Sequence, residues 1–210
     1  WLEMGGVLAV ANIRGGGEFG KAWHNAGRLD TKQNVFDDFL YASKFLENNS
    51  IGNRKSTVIS GRSNGGLLVG TTLVQNPNYF GAALPAVGVM DMIRFTEFTE
   101  GWGWRGDYGS PILNQTDFQR NIKISPYHQT KIDVCYSPTL TTTGRRDDRV
   151  VPSHSYKFTA RLQEYQGCTN PVMLYDATRA GHGSGNGVAM PKWKRIELFS
   201  IEQSLSLIHI

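Results

Sequence analysis

A serine flanked by glycines, with an apolar run before it and a helix-forming run after it, constrains this fold most. The segment reads T-V-I-S-G-R-S-N-G-G-L-L-V-G, with Ser63 near its centre. Residues 57–60 predict a strand, and the apolar residues after Gly66 predict a helix that ends before Pro77. Strand and helix joined by a tight glycine turn form a unit that builds parallel sheets. The segment therefore predicts an α/β fold.

The rest of the chain repeats this alternation. Further strands are predicted at 7–13, 82–87, 136–143 and 172–175, and further helices at 32–47, 152–165 and 193–201. Residues 91–130 carry mixed turn signals and several aromatic residues, and they interrupt the pattern. We therefore expect a mostly parallel sheet with helices on both faces.

Size and charge fit a globular domain and exclude some partners. The chain has 210 residues, of which 40% are apolar and 19% charged, enough for one domain with a sizeable core. The net charge of +4 comes from scattered basic residues, which does not favour nucleic-acid binding. No apolar run reaches about 18 residues, so we expect no membrane span.

The two cysteines suggest no special chemistry. Cys135 and Cys168 lack C-x-x-C spacing and have no histidine at zinc-ligand spacing. The sequence therefore predicts free thiols and no metal site.

The two ends of the chain are unusual. It starts at Trp1 without a charged segment before its first apolar run, so no signal peptide is visible. The last residues, SLSLIHI, are apolar without a clear period. We expect a single partial domain over residues 1–203 and a tail at 204–210 that is foreign to the natural chain.

The glycine-flanked serine fits the nucleophile elbow of α/β-hydrolases. Such a turn lifts the Ser63 hydroxyl above the sheet at a helix N-terminus, where the backbone N–H of Asn64 can face an oxyanion. A serine hydroxyl needs a base, and the base needs an orienting carboxylate. In this fold the chain order is serine, acid, histidine.

One acid position and one histidine satisfy that order. Asp147 or Asp148 follows a predicted strand in R-R-D-D-R-V-V-P, and His182 follows the next strand in A-G-H-G-S-G. The other histidines fail on chain order, on closeness to the acid or on their place in the tail: His24, His128, His154 and His209.

Several motifs resemble a known family. Between Met4 and Phe199 the chain contains, in order, G-G-V-L-A-V-A-N-I-R-G-G-G-E-F-G, G-R-S-N-G-G-L-L-V, V-G-V-M-D-M, D-D-R-V-V-P and A-G-H-G. Together they resemble the catalytic domain of the prolyl oligopeptidase family. The resemblance implies a serine endopeptidase that cuts short peptides on the carboxyl side of proline through an acyl-enzyme, without a cofactor. It also implies a cytoplasmic protein, and we expect a monomer.

The same resemblance assigns roles to the site residues. It makes Ser63 the nucleophile, Asp147 the orienting carboxylate and His182 the general base and acid, with Asn64 at the oxyanion hole. This agrees with the chain order found above.

The resemblance also implies a proline pocket. Trp104, in W-x-x-D-Y-G, would stack on the proline ring, and Tyr108, Val89 and Val150 would complete the walls. An aromatic wall suits a proline ring because the ring is apolar and carries no N–H. Arg149 would donate hydrogen bonds to the peptide carbonyl that precedes the proline.

The chain departs from the family pattern in four places. Arg62 stands where the family often has glycine, and Arg145 and Arg146 add positive charge that should favour the ionised form of Asp147. The family's β-propeller and the upstream tyrosine that supplies a second oxyanion donor lie outside these residues. Loss of one such donor costs about 3 to 4 kcal/mol of transition-state stabilisation, so we expect these residues alone to be a weak catalyst.

Other functions remain open at this point. The chain could be another peptidase of the same fold, specific for basic residues or for acylated peptides, or a scaffold that only binds. The G-x-G-x-x-G spacing of Gly15, Gly17 and Gly20 is also that of a dinucleotide-binding turn. We expect no helix at these glycines, and the acids at the expected distance, Asp37 and Asp38, fall inside a helix. We therefore interpret the segment as a tight turn that allows close backbone packing.

Overall fold

A parallel sheet organises the described part of the chain, which is residues 2–183 of a computed structural model. Its strands lie side by side in chain order: β1 (Val58–Arg62), β2 (Ala82–Ala86), β3 (Thr139–Gly144) and β4 (Val172–Ala177). Neighbouring strands are parallel throughout, with Val58 opposite Ala82 and Thr139 opposite Val172. The predicted α/β class with a parallel sheet is confirmed.

Two helices precede the sheet and the others lie in the connections between its strands. They are α1 (Gly20–Asn25), α2 (Gln33–Asn48), α3 (Asn64–Gln75), α4 (Arg105–Tyr108), α5 (Gln115–Ile124), α6 (Pro126–Gln129) and α7 (Ser153–Tyr165). Helix α3 packs on β1 and β2, and α7 packs on β3 and β4. Because parallel crossovers are right-handed, α3 and α7 lie on the same face of this sheet. The predicted helix at 193–201 and the tail at 204–210 lie outside the described residues.

Helix α3 lies at the centre of the core. One apolar cluster joins α3 to the sheet and to α7, with Val69, Leu73 and Phe158 fully buried. A second cluster joins the first turn of α3 to the segment between β2 and β3, through Leu67 and Phe95. The residue that precedes α3 is therefore held by packing on two sides.

The predicted first strand is wrong. Residues 7–13 form no strand, and Leu8 and Val10 are 69% and 79% exposed. Apolar residues in this run favoured a strand, but a strand also needs a neighbour that completes its ladder of hydrogen bonds. Within residues 2–183 no strand lies beside this segment.

The cysteine prediction is also wrong, because Cys135 and Cys168 form a disulfide with their Cα atoms 5.1 Å apart. A single parallel bridge between Val134 and Gln166 brings the two segments together. The cysteines are 33 residues apart in sequence, so no short spacing motif could have indicated the pair.

The described residues contain neither a helix suited to cross a membrane nor a cluster suited to bind a metal ion. Between residues 2 and 183, no helix has both the length and the apolar character needed to cross a membrane. In the same range, no group of three or more histidine, cysteine, aspartate or glutamate side chains could hold a metal ion.

Candidate active site

The turn between β1 and α3 has the strained backbone of a nucleophile elbow. Ser63 adopts φ 58° and ψ −116°, a conformation that is costly for a residue with a side chain. Its N–H donates to the Ala86 carbonyl at 2.9 Å, and its carbonyl accepts from the Leu67 N–H at 3.0 Å. A Cβ atom on Gly61 would lie 2.3 Å from the Gly65 oxygen, so only glycine fits there. The predicted strand, tight turn and helix are all present.

The structure brings Ser63, His182 and Asp147 into one hydrogen-bonded row. His182 Nε2 lies 3.0 Å from Ser63 Oγ, and His182 Nδ1 lies 2.8 Å from Asp147 Oδ2. Ser63 follows β1, Asp147 follows β3 and His182 follows β4. All three therefore lie at the carboxyl edge of the sheet, where parallel sheets carry their sites. Of the two candidate acids, Asp147 is the one bonded to His182.

Backbone groups hold the Asp147 carboxylate. Its side chain is fully buried, and Oδ1 accepts from the backbone N–H groups of Arg149 at 3.0 Å and Val150 at 2.9 Å. A carboxylate fixed in this way keeps the proton of His182 on Nδ1 and leaves Nε2 free to take the proton of Ser63. The row can therefore activate the serine hydroxyl for acyl transfer.

The extra positive charges near Asp147 are arranged differently from the expectation. The Arg145 guanidinium lies on the Asp176 carboxylate, with Nη2 2.7 Å from Oδ2, and is largely exposed. Arg146 contributes its backbone N–H to the Ala180 carbonyl at 3.0 Å, which shapes the loop before His182. Arg145 is thus paired elsewhere, and the contacts that hold Asp147 come from the backbone.

Arg62 makes a contact that the sequence did not indicate. Its Nη2 atom donates to the backbone carbonyl of His182 at 2.6 Å. Arg62 is the last residue of β1, so the elbow strand is tied directly to the histidine loop. This position varies between glycine and other residues in the motif, which gave no reason to expect a contact.

The predicted pocket residues belong to one apolar cluster beside Ser63. Trp104, Tyr108, Val89 and Val150 all take part, with Trp104 only partly buried. Phe95, which the sequence analysis missed, connects them: it stacks on Trp104 with ring centroids 6.3 Å apart, and it meets Tyr108 edge-on at 5.6 Å. Its only signal was the group of aromatic residues between 91 and 130. The segment that interrupts the alternation therefore contributes three aromatic rings to this cluster, those of Phe95, Trp104 and Tyr108.

Arg149 leaves its side chain available. The residue is exposed, its backbone N–H is used by Asp147, and its guanidinium has no hydrogen-bond partner among residues 2–183. An exposed guanidinium of this kind can donate hydrogen bonds to the carbonyl of a bound peptide.

A buried lysine contacts Asn64, the residue after Ser63. Lys32 Nζ lies 3.4 Å from Asn64 Oδ1 and 5.2 Å from the centre of the Tyr108 ring. The Tyr108 hydroxyl donates to the same Asn64 oxygen at 2.7 Å, and burial raises the pKa of Tyr108, so the hydroxyl keeps its proton. Burial lowers the pKa of Lys32 to about 8, partly opposed by the charge of Asp107. Sequence reasoning missed Lys32, because a lysine ahead of a helix predicts a solvated side chain.

The other histidines in the described range have structural contacts. His154 is buried, which lowers its pKa to about 4, and its Nδ1 accepts from the Asp91 N–H at 3.1 Å. His24 Nδ1 donates to the Gly15 carbonyl at 2.9 Å, and His128 Nδ1 lies 2.8 Å from Ser125 Oγ. His209 lies outside the described residues.

The glycine loop before α1 is closed by protein contacts. The Arg14 side chain binds both carboxylate oxygens of Asp38, at 2.8 and 2.6 Å. Gly15 has φ +96°, and a Cβ atom there would lie 3.0 Å from Val35 Cγ2. The expectation that no helix starts at the glycines is wrong, since the short helix α1 starts at Gly20. Because Asp38 is occupied by Arg14, it is not free to bind a ribose hydroxyl.

Comparison with known proteins identifies the family. The sequence profile of the prolyl oligopeptidase family matches residues 1–205. The chain belongs to the prolyl oligopeptidase family. Among prolyl oligopeptidase relatives, the prolyl endopeptidase of Elizabethkingia miricola is 46% identical over 200 residues, which cover 95% of this chain and 28% of the relative. The dual function macrocyclase-peptidase POPB of Amanita bisporigera is 45% identical over 185 residues, covering 86% of this chain and 25% of the relative.

Solved prolyl oligopeptidase structures share the fold. Prolyl oligopeptidase B from Galerina marginata, bound to a 35mer hydrolysis and macrocyclization substrate, matches with a TM-score of 0.86 and 37% identity over 94% of this chain. A post-proline cleaving enzyme from Rickettsia typhi matches with a TM-score of 0.81 and 34% identity over 90% of this chain. The matches confirm the predicted α/β-hydrolase fold. The chain spans 28% of the first of these structures and 27% of the second.

Proposed function

We propose that this chain is the catalytic part of a serine endopeptidase that cleaves short peptides on the carboxyl side of proline. The observation that carries the proposal is the row in which His182 lies 3.0 Å from Ser63 Oγ and 2.8 Å from the buried Asp147. Membership of the prolyl oligopeptidase family supports proline as the residue before the cut. Since the chain spans 28% of its E. miricola relative, the activity belongs to the full-length protein.

Acylation begins when Ser63 Oγ attacks the carbonyl carbon of the proline residue, which belongs to the peptide bond that is cut. His182 Nε2 takes the hydroxyl proton, and the imidazolium that forms is stabilised by Asp147. The carbonyl oxygen becomes an oxyanion beside the backbone N–H of Asn64, which has no partner inside the helix because it opens α3.

Collapse of the tetrahedral intermediate breaks the peptide bond. His182 gives its proton to the leaving amine, and the acyl group stays on Ser63 as an ester. Water then gives a proton to His182 and attacks the carbonyl carbon of the ester. His182 returns that proton to Ser63 Oγ as the ester bond breaks, which releases the peptide with its new carboxyl end. The same imidazole thus acts as base and as acid in each half-reaction.

The pocket accounts for the choice of proline in this proposal. Trp104 is the partly buried member of the cluster, so one part of its ring remains open to a ligand. Tyr108, Val89 and Val150 are buried walls around that ring. A proline side chain needs no hydrogen-bond partner, and these walls offer mainly apolar contact. Arg149 would bind the carbonyl on the other side of the proline.

We further propose that the protein works as a monomer on short proline-containing peptides, without a cofactor. For the compartment, the family resemblance implies the cytoplasm, whereas a disulfide between Cys135 and Cys168 is typical of oxidising compartments. We favour the oxidising compartment, because stable disulfides are rare in the reducing cytosol.

The nucleophile is tested by labelling the full-length protein with a fluorophosphonate, which reacts with activated serines. We expect the wild-type protein to be labelled and to cleave peptide amides with proline before the cut at least tenfold faster than matched amides with arginine. Ser63→Ala should abolish both signals, because it removes the attacking oxygen.

Ser60→Ala is the matched control, since Ser60 lies in β1 three residues before Ser63 and takes no part in the row. A wild-type protein that stays unlabelled would support a scaffold that only binds. Preference for arginine would support the peptidase specific for basic residues.

A further inference from the structure

Lys32 is a buried cation without a carboxylate partner in the described structure. It is 5% exposed, and among residues 2–183 no acidic oxygen lies within 4 Å of its amine. Burying a charge without an opposite charge is costly, so such a residue needs contacts that compensate. The position of its amine indicates what those contacts do.

The amine touches two parts of the candidate site at once. Nζ lies 3.4 Å from Asn64 Oδ1 and 5.2 Å above the centre of the Tyr108 ring. Asn64 follows the nucleophile and supplies the proposed oxyanion donor, whereas Tyr108 forms a wall of the proposed proline pocket. Lys32 itself precedes α2, so it links three separate segments of the chain.

The two donors fix the orientation of the Asn64 amide. The Tyr108 hydroxyl and the Lys32 amine can both donate, and both lie next to the Asn64 oxygen, at 2.7 and 3.4 Å. The oxygen therefore faces the interior and the amide nitrogen faces away from these two donors. Within residues 2–183 that nitrogen has no acceptor. A side chain fixed at its oxygen also restrains the backbone of Asn64.

We infer that Lys32 is a positioning residue, whose amine ties the Asn64 amide to the Tyr108 ring and so holds the oxyanion donor at a fixed place relative to the pocket wall. The inference rests on the proposed peptidase function. It assigns Lys32 no contact with the substrate.

The charges around Lys32 come from several elements. Asp107 in α4 attracts the amine from a distance, and Tyr108 is protonated. Lys32 also lines a cavity of about 410 Å³, together with Asp30, Arg120 and Lys123. Arg120 is bound to Asp30, so Lys123 is the remaining cation of that wall. Burial is therefore the main influence on the pKa of Lys32, and burial lowers that pKa to about 8.

The test uses Lys32→Met in the full-length protein, because methionine keeps the length of the chain and removes the amine. The measured quantity is the second-order rate of fluorophosphonate labelling of Ser63, which depends on the oxyanion donor but not on the pocket's preference for proline. We expect about a tenfold slower rate, with a melting temperature at pH 7 equal to or above that of the wild-type protein. If Lys32 only stabilised the fold, Lys32→Met would lower the labelling rate and the melting temperature together.

Lys44→Met is the matched control. Lys44 also lies over a tyrosine ring, 4.5 Å from the centre of Tyr41, but it is far from the site along α2. We expect its labelling rate to equal that of the wild-type protein. An unchanged rate in Lys32→Met, or a loss that follows a lower melting temperature, would overturn the inference.

A second measurement needs no variant. The labelling rate of the wild-type protein should fall above pH 8, as the amine loses its charge and donates more weakly. A rate that stays level between pH 8 and pH 10 would contradict the role of Lys32. Failure of the wild-type protein to label at any pH would instead contradict the proposed function.

Discussion

At the scale of single residues, Arg62 shows how a variable motif position can acquire a specific contact. The elbow needs glycine at position 61, where a Cβ atom would lie 2.3 Å from the Gly65 oxygen, but the side chain between Gly61 and Ser63 is free to vary. Here it is an arginine whose Nη2 binds the carbonyl of His182 at 2.6 Å. The contact acts on the backbone of the base, so it can set the position of the imidazole without touching a substrate.

Removal of this contact should slow catalysis without weakening substrate binding. We expect Arg62→Met, which keeps the aliphatic part of the side chain, to lower kcat for a proline peptide amide roughly tenfold, about 1.4 kcal/mol. KM should stay within a factor of two, because Arg62 is not part of the pocket. Steady-state kinetics of the full-length protein provides the measurement.

Arg145→Met serves as the comparison for Arg62→Met, because it removes another guanidinium near the same loop. Arg145 binds Asp176 instead of the histidine loop. Equal losses of kcat in the two variants would show that the effect of Arg62 is one of general charge.

At the scale of elements, the glycine loop and α2 form one unit. Arg14 reaches across to Asp38 with a backbone N–H and two guanidinium contacts. The hydrogen bond and charge of Arg14 hold the pKa of Asp38 below its usual range, despite partial burial. The loop is therefore fixed to the helix whose first residues follow Lys32.

Asp38→Asn should destabilise the protein by about 1 kcal/mol at pH 7, because it removes a bidentate pair that is partly exposed. The folded-state pKa of Asp38 lies below the unfolded value of about 4, so this stabilisation is present above pH 4 and is lost as the pH falls through the folded pKa. Denaturant unfolding at pH 7 and at pH 3 measures the difference, which should be smaller at the lower pH.

Asp37→Asn is the control for Asp38→Asn, since within residues 2–183 the Asp37 carboxylate accepts a hydrogen bond only from the Gln33 amide in α2 and acts on Arg14 through its charge alone. A difference between Asp38→Asn and the wild-type protein that is the same at both pH values would exclude the ion pair as its cause.

Elements with a strong local signal could be predicted from the sequence, and elements that depend on neighbours could not. The elbow, α2, α3 and α7 lie within a few residues of the predicted positions, because helical periodicity and glycine spacing are local properties. Residues 7–13 failed because a strand depends on its neighbour. The contacts of Lys32 and Arg62 could not be predicted for a similar reason: each joins residues that only the fold brings together, and no motif specifies either side chain.

At the scale of the whole molecule, the disulfide closes a loop that contains Asp147. Cys135 precedes β3 and Cys168 precedes β4, the two strands that lead to Asp147 and His182. The bond therefore joins the starts of both strands at the edge of the sheet opposite to the active row. Its loss should affect stability more than chemistry.

In a variant with both Cys135→Ser and Cys168→Ser, the free energy of unfolding should be about 4 kcal/mol lower than in the oxidised wild-type protein, as expected for a closed loop of 33 residues. Below its unfolding midpoint the variant should keep its kcat. Denaturant unfolding measures the first quantity and steady-state kinetics the second.

A thiol reductant provides the internal control, because it should destabilise the wild-type protein and leave the double variant unchanged. Alkylating free thiols while the native cells are lysed then shows whether the protein comes from a reducing or an oxidising compartment. Alkylated cysteines in freshly isolated protein would place it in a reducing compartment and contradict our proposal.

The chain order of the active row also bears on when the protein can act. Ser63 lies 119 residues before His182, and His182 comes after the last described strand. With the proposed roles, a polypeptide leaving the ribosome carries Ser63 as an ordinary alcohol until the loop of His182 has been made and has closed over the sheet. With those roles, peptidase activity appears only once the sheet is assembled.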